Sequence, residues 1–260
     1  MATACGAGPG ASTAPKTVGS PGLIWVKDDI TTCWETVADE TEQYRDNVRE
    51  AVFKAFAGLT IRIRGFDPCP PSGGDIRIFV YDEVAPSTTR RSTELRAILR
   101  EEAAPGAGLS KPDDDAALAL GHPRVRRIGR GLQGLPAGLV LNRSFRHSLP
   151  GFSAMVERLS PQGRRNLALS VALHEFGHAL GMRHEDAHSE ATCTEFAEER
   201  GSGPGAAVDV TPYNFSSFMS RCYYRPYDYE KGYVLPNDAD IEGINSLYAS
   251  RRGEVDSSPQ

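Results

Sequence analysis

The chain has 260 residues, 40% of them hydrophobic, which is enough to bury a sizeable core in one large domain or in two lobes around a cleft. Its 29 basic and 34 acidic residues leave a net charge of −5, with no dense basic run to suit a phosphate backbone, so nucleic acid is excluded as an expected partner. No stretch approaches the roughly 18 consecutive apolar residues of a membrane helix, and the N-terminus lacks the apolar centre of a signal peptide.

Residues 1–20 are almost all small or turn-forming, too poor in large apolar groups to offset the entropy of ordering them, and are expected to be a flexible leader. "LIWV" at 23–26 reads as a short buried strand. Tyr44, Val48, Val52 and Phe56, at four-residue spacing, predict an amphipathic helix ending at Gly58. "TIRIRGF" at 60–66 and "DIRIFVY" at 75–81 read as strands, with "PCPPSGG" as the turn between them.

From 82 to about 134 the chain is rich in charge, Pro and Gly and reads as a long insertion, with a helical patch at "STELRAILREEA". Its acidic tract, Asp113, Asp114 and Asp115, lacks the spacing of a calcium loop and is read as solvated. "AGLVLNRSF" at 137–145 is a fourth strand. A long helix then opens with Ser160 as N-cap and Pro161 in its first turn and stops at Gly181. Residues 182–235 read as loop, and Ile241, Ile244, Leu247 and Tyr248 lie along one face of a final helix. The expected organisation is a leader (1–20), a single catalytic domain (21–252) and a flexible tail (253–260). The domain divides into an upper lobe (21–181) and a lower lobe (182–252).

Cysteines stand at 5, 33, 69, 193 and 222, with no C-x-x-C pair. Two disulfides and one spare thiol is the simplest arithmetic. Of the three possible connectivities for the last four, pairing Cys33 with Cys69 and Cys193 with Cys222 keeps each bridge on one side of the long helix, and it favours an oxidising, extracellular compartment. Four reduced cysteines are the alternative. Cys5, opening a Cys-Gly segment, resembles what is left when a lipoprotein signal is clipped before an acylated cysteine; an incidental thiol is the alternative reading.

"HEFGHALGMRHE", residues 174–185, holds the chemistry. Helical residues four apart stack on one face with Cβ atoms roughly 5–6 Å apart, so His174 and His178 can turn two imidazoles toward one ion. Glu175 is placed to reach a water on that ion rather than the ion itself. Gly181 can adopt the left-handed conformation that reverses the chain and returns His184 as a third ligand, leaving the fourth position open as catalytic zinc requires. Five fixed positions in this pattern should arise by chance in a chain of this length with odds on the order of one in 10⁵.

The pattern resembles the zinc signature of the metzincin endopeptidases. That resemblance implies a methionine turn beneath the metal, for which "SSFMS" with Met219 is the candidate. It also implies an α+β fold: an upper lobe of α/β/α type with a mixed twisted sheet and the active-site helix, and a smaller irregular lower lobe ending in a helix. Glu185, following the third histidine, is similar to the astacins, whereas "DADIEGINSLY" is similar to the terminal helix of the matrixins and, less closely, of the astacins. Astacins carry a zinc-touching tyrosine two residues after the turn methionine; that position here is Arg221, with Tyr223 and Tyr224 further along, and no tyrosine ligand is assigned.

The function implied is zinc-dependent hydrolysis of peptide bonds in extended protein or peptide substrates, by a monomer, with Glu175 as general base. The strand at 137–145 or its neighbour would hold the substrate by strand addition. The leader has too few large apolar residues to dock Cys5 over the metal against an ordering cost of about 1–2 kcal/mol per residue, so a lipid-anchor remnant or an inert thiol is expected rather than a latency switch. Two rival readings are a site completed by a downstream glutamate (Glu195, Glu198 or Glu199) and a zinc-holding surface protein without catalysis.

Overall fold

The computed structural model describes residues 18–35, 37–81, 124–125, 137–143, 155–192, 208–224 and 227–255. In chain order its strands are β1 (Val18–Gly19), β2 (Asp29–Trp34), β3 (Arg62–Pro68), β4 (Ile76–Tyr81), β5 (Arg124–Val125), β6 (Ala137–Asn142) and β7 (Val208–Asp209). Its helices are α1 (Glu42–Ala55), α2 (Pro161–Ala179), α3 (Arg221–Tyr224) and α4 (Asp238–Val255).

Five strands form one sheet in the order β3-β2-β4-β6-β5. The β2/β3, β2/β4 and β4/β6 pairs are parallel and β5 runs antiparallel to β6, so the sheet is mixed as expected. Two neighbouring parallel strands cannot be joined by a tight hairpin, and α1 is the crossover that carries β2 to β3. Along β4, Ile76, Ile78 and Val80 are buried at alternate positions, while Arg77 between them pairs with Glu35. With Leu139 and Leu141 of β6 they face a core that also takes in Val48 and Val52 of α1, Phe56 just past its end, and Leu167, Leu173 and Phe176 of α2. The same cluster continues without a break into Phe218, Met219, Ile244, Leu247 and Tyr248.

The structure departs from the sequence reading at several points, among them a first helix that ends at Ala55, a strand at Arg62–Pro68 and short elements at Val208–Asp209 and Arg221–Tyr224 within the expected loop. "LIWV" is not a strand: Pro21–Leu23 form a 3-10 turn, Ile24 and Trp25 are buried, and Val26 is exposed. Trp25 serves α2 instead, its indole Nε1–H donating to the carbonyl of Ala179 at 2.9 Å. The strand lies six residues later in "DITTCW", whose Thr and Trp content suits a pleated surface.

The expected leader extends too far, because Val18, Gly19 and Ser20 are buried. β1 pairs with β7, Ser20 N–H donates to the Gly181 carbonyl at 2.9 Å, and Arg183 N–H donates to Val18 at 2.9 Å. At the other end α4 runs to Val255, past the expected start of the tail. Of the 82–134 insertion only β5 is described. The helical patch, the acidic tract, Cys5, Cys193 and the three candidate downstream glutamates lie outside the described residues.

Candidate active site

α2 is built to hold its far end still. Ser160 caps it, its Oγ accepting from Gly163 N–H at 3.0 Å, with Pro161 following. Glu230 accepts from both the backbone N–H and the hydroxyl of Ser160, and these hydrogen bonds hold its carboxyl below the usual range. Deeper along the helix, Asn166 donates to the Tyr229 carbonyl at 2.6 Å and Ser170 Oγ accepts from Val234 N–H at 2.8 Å.

At the C-terminal end, Gly181 has φ +97°, Gly181 N–H donates to His178 O at 2.9 Å, and Met182 N–H donates to Gly177 O at 3.0 Å. That is the paired-bond reversal expected of a glycine stop. The outward carbonyls find distant donors: Trp25 for Ala179, the Tyr248 hydroxyl for Leu180 at 3.1 Å, and Ser20 N–H for Gly181.

This reversal brings His184 back over His174 and His178. His184 Nε2 lies 3.1 Å from Nε2 of each of the other two, and the three ligand atoms all fall within 4.8 Å of one another. Two of the rings are turned by carbonyls: His174 Nδ1 lies 2.9 Å from Phe218 O, and His178 Nδ1 lies 2.9 Å from Met182 O. A carbonyl only accepts, so each Nδ1 carries the hydrogen and each Nε2 presents a lone pair. Two lone pairs thus face His184 Nε2 at 3.1 Å, an arrangement that a shared cation would satisfy. Tetrahedral zinc with nitrogen at about 2.0–2.1 Å would set its ligand atoms about 3.3 Å apart, so the donor set fits that ion. Burial, and then the neighbouring His174 ring and the charges of Arg221 and Arg183, push His184 well below its ordinary value, which favours its neutral, ligating form.

Glu175 is buried beside His174 and stands outside the three-nitrogen set. Met219 lies fully buried against α2 at Gly177: a Cβ there would meet Met219 Sδ at 2.5 Å and the Phe218 ring at 2.8 Å. Only a glycine lets the methionine turn approach so closely. The turn is also tied to the third histidine's segment, since Glu185 N–H donates to Met219 O at 3.1 Å.

Several residues at the site make contacts that a reading of the sequence does not assign. Phe218 acts through its carbonyl, which no side-chain motif reveals. Glu185 accepts the Asn214 N–H at 2.7 Å, and burial pushes its carboxyl up to about 8. Arg221, in the position where astacins carry tyrosine, has Nε 2.8 Å from Oδ2 of the buried Asp186. Tyr223 packs edge-on against Phe215 and Tyr227. Asp240 accepts from Phe218 N–H at 3.3 Å; its one trace in the sequence is an acid four residues before Ile244, on the apolar face of the last helix.

One expected disulfide, Cys33–Cys69, is present, and Cys222 is also disulfide-bonded to a partner outside the described residues. Among the described residues no helix is long and apolar enough to cross a membrane.

Residues 164–248 match the family profile of the dual-action HEIGH metallopeptidases. The chain's own run is His-Glu-Phe-Gly-His, and the matched segment holds the three histidines, Glu175 and Met219. Among solved structures the chain is similar to myroilysin at 12% identity, over 89% of this chain and 98% of that one, with a TM-score of 0.46. It is also similar to high choriolytic enzyme 1, a hatching enzyme zinc-protease from Oryzias latipes, at 16% identity over 88% and 96%, with a TM-score of 0.41. No curated protein matches it in sequence.

Proposed function

We propose that this chain is a zinc-dependent metalloendopeptidase of the metzincin type, in which His174, His178 and His184 hold the metal while Glu175 acts as general base. The observation that carries the assignment is the convergence of three imidazole Nε2 atoms, two of them oriented by carbonyls, beside a buried carboxylate that is not among them. Bound there, zinc supplies Lewis acidity, lowering the pKa of a water and polarising the scissile carbonyl.

Glu175 takes the proton of the attacking water and delivers it to the departing amine, so one carboxylate serves as base and then as acid. The Phe218 and Met182 carbonyls keep His174 and His178 in one tautomer throughout. Among the described residues β5 is the outer strand beside β6, and its outer side would offer backbone hydrogen bonds to an extended peptide by strand addition.

Further support bears on the finer points. The core cluster runs unbroken from the sheet to α4, which favours one catalytic domain whose upper and lower lobes meet at Gly181. All three ligands come from one chain, so a monomer suffices. The disulfides favour an extracellular setting. His184 completes the ligand set without a downstream glutamate, and a structural zinc site would have no use for Glu175 and would fill the fourth position with protein.

The test is a peptide library incubated with the purified protein, with and without a zinc chelator, alongside His184→Ala. Cleavage abolished by the chelator, and weakened zinc binding in the variant, are expected. Chelator-resistant cleavage would overturn the zinc assignment, and a fully active His184→Ala with one zinc per chain would move the third ligand to a glutamate.

A further inference from the structure

Asp240 lies near the start of α4 and is fully buried. Two of its contacts form a reciprocal helix cap: Asp240 N–H donates to Asn237 Oδ1 at 3.1 Å, and Asn237 N–H donates to Asp240 Oδ2 at 3.0 Å. Such a cap works at a solvated surface and gives no reason to bury a carboxylate, which costs desolvation. Its other contacts, with the Ser217 hydroxyl and the Phe218 amide, are not local. The same Oδ2 accepts from Phe218 N–H at 3.3 Å, across 22 residues, and the carbonyl of Phe218 is the group that receives Nδ1–H of His174.

Phe218 is therefore held at both ends, by α4 on its amide and by α2 on its carbonyl. The surrounding turn is also held by Asn237, the residue just before α4. Asn237 Nδ2 donates to Ser216 O at 3.2 Å, and Asn214 Nδ2 donates to Asn237 Oδ1 at 3.1 Å. The two helical histidines differ in this respect. His178 takes its carbonyl from Met182, four residues away in the helix stop, whereas His174 takes its carbonyl from a turn whose place is set by a distant helix.

We propose that Asp240 is a positioning residue for the metal centre: by holding Phe218 it sets the ring plane of His174 and aims its Nε2 at the ion. The inference rests on the metalloendopeptidase assignment above. A carbonyl that receives Nδ1–H orients the ring and raises its basicity as a ligand, and loss of such outer support typically costs 10–100-fold in metal affinity.

The test measures zinc affinity by competition with a fluorescent chelator in the full-length wild type, Asp240→Ala, Asp240→Asn and Ile244→Ala, together with the imidazole N–H proton resonances. Asp240→Ala should weaken zinc binding by about 10-fold or more and shift or broaden the His174 Nδ1–H signal while leaving that of His178 in place. Asp240→Asn keeps an oxygen acceptor and should restore affinity to within about 3-fold. Ile244→Ala, one turn on in α4, should lower the unfolding midpoint yet bind zinc normally. Where Asp240→Ala is not recovered folded, Asp240→Ser, too short to reach Phe218, replaces it with the same expected results. Wild-type affinity in the truncated variant, an equal loss in Ile244→Ala, or no recovery in Asp240→Asn would each overturn the positioning role. A wild-type protein that binds no zinc would overturn the metallopeptidase assignment beneath it.

Discussion

Gly177 and Met219 touch across 42 residues of chain: a Cβ built on the glycine would lie 2.5 Å from the methionine Sδ and 2.8 Å from the neighbouring Phe218 ring, both side chains being fully buried. The helix that carries two of the histidines and the turn beneath them are thus in contact through a position with no side chain. Gly177→Ala is expected to destabilise the protein by a net of up to about 2 kcal/mol, since overpacking costs about 1–3 kcal/mol against the roughly 1 kcal/mol of helix propensity gained. Denaturant unfolding of the zinc-free protein checks it, and a more stable variant would mean that the turn can withdraw freely.

Replacing Glu175 with alanine separates binding from catalysis. The carboxylate is not among the three converging groups, so zinc stoichiometry should stay at that of the wild type while the peptidase rate falls by at least about 10²-fold. Metal analysis and turnover on the same sample decide the matter. A zinc-loaded variant that retains near wild-type turnover removes Glu175 from the mechanism.

For the cysteines, the Cys33–Cys69 bridge closes a separation of 36 residues and joins β2 to the end of β3. Substituting both by alanine is expected to cost about 2–4 kcal/mol in unfolding free energy. Peptide mapping without reduction should also find Cys222 joined to Cys193, leaving Cys5 as the free thiol; a Cys5–Cys222 peptide would refute that pairing.

Asp75 provides a pH-dependent contribution. Lys27 lies 2.7 Å from Oδ1, and Thr31 donates both its N–H at 2.8 Å and its hydroxyl at 2.7 Å to Oδ2. Burial opposes ionisation, but these hydrogen bonds and the lysine charge outweigh it and hold the carboxyl below its ordinary 3.8. A folded value below the unfolded one means that the stability is present above about pH 3.8 and is lost as pH falls through the folded value. Thermal unfolding between pH 3 and 7 should therefore show a shallower acid loss in Asp75→Asn than in wild type. Identical slopes would mean that the contact contributes nothing to acid stability.

The identity and spacing of His174, Glu175, His178, Gly181 and His184, the Ser160 cap and the apolar stripe of α4 were all legible in the sequence. Each depends on neighbours within a turn or two, where helical period and the left-handed freedom of glycine dictate geometry. "LIWV" misled for the opposite reason. Hydrophobicity says that a segment is buried, not in what conformation, and the same short apolar run serves a strand or, as with Trp25, a plug at a helix end. The Phe218 carbonyl on His174, the fit of Met219 over Gly177, the grip of Asp240 on the turn and the burial of Val18 against β7 were decided by tertiary structure alone. These partners stand tens to almost two hundred residues apart. Their contacts arise only when packing of the common core brings separate elements together, and no local period or propensity encodes which carbonyl or carboxylate will then face which donor.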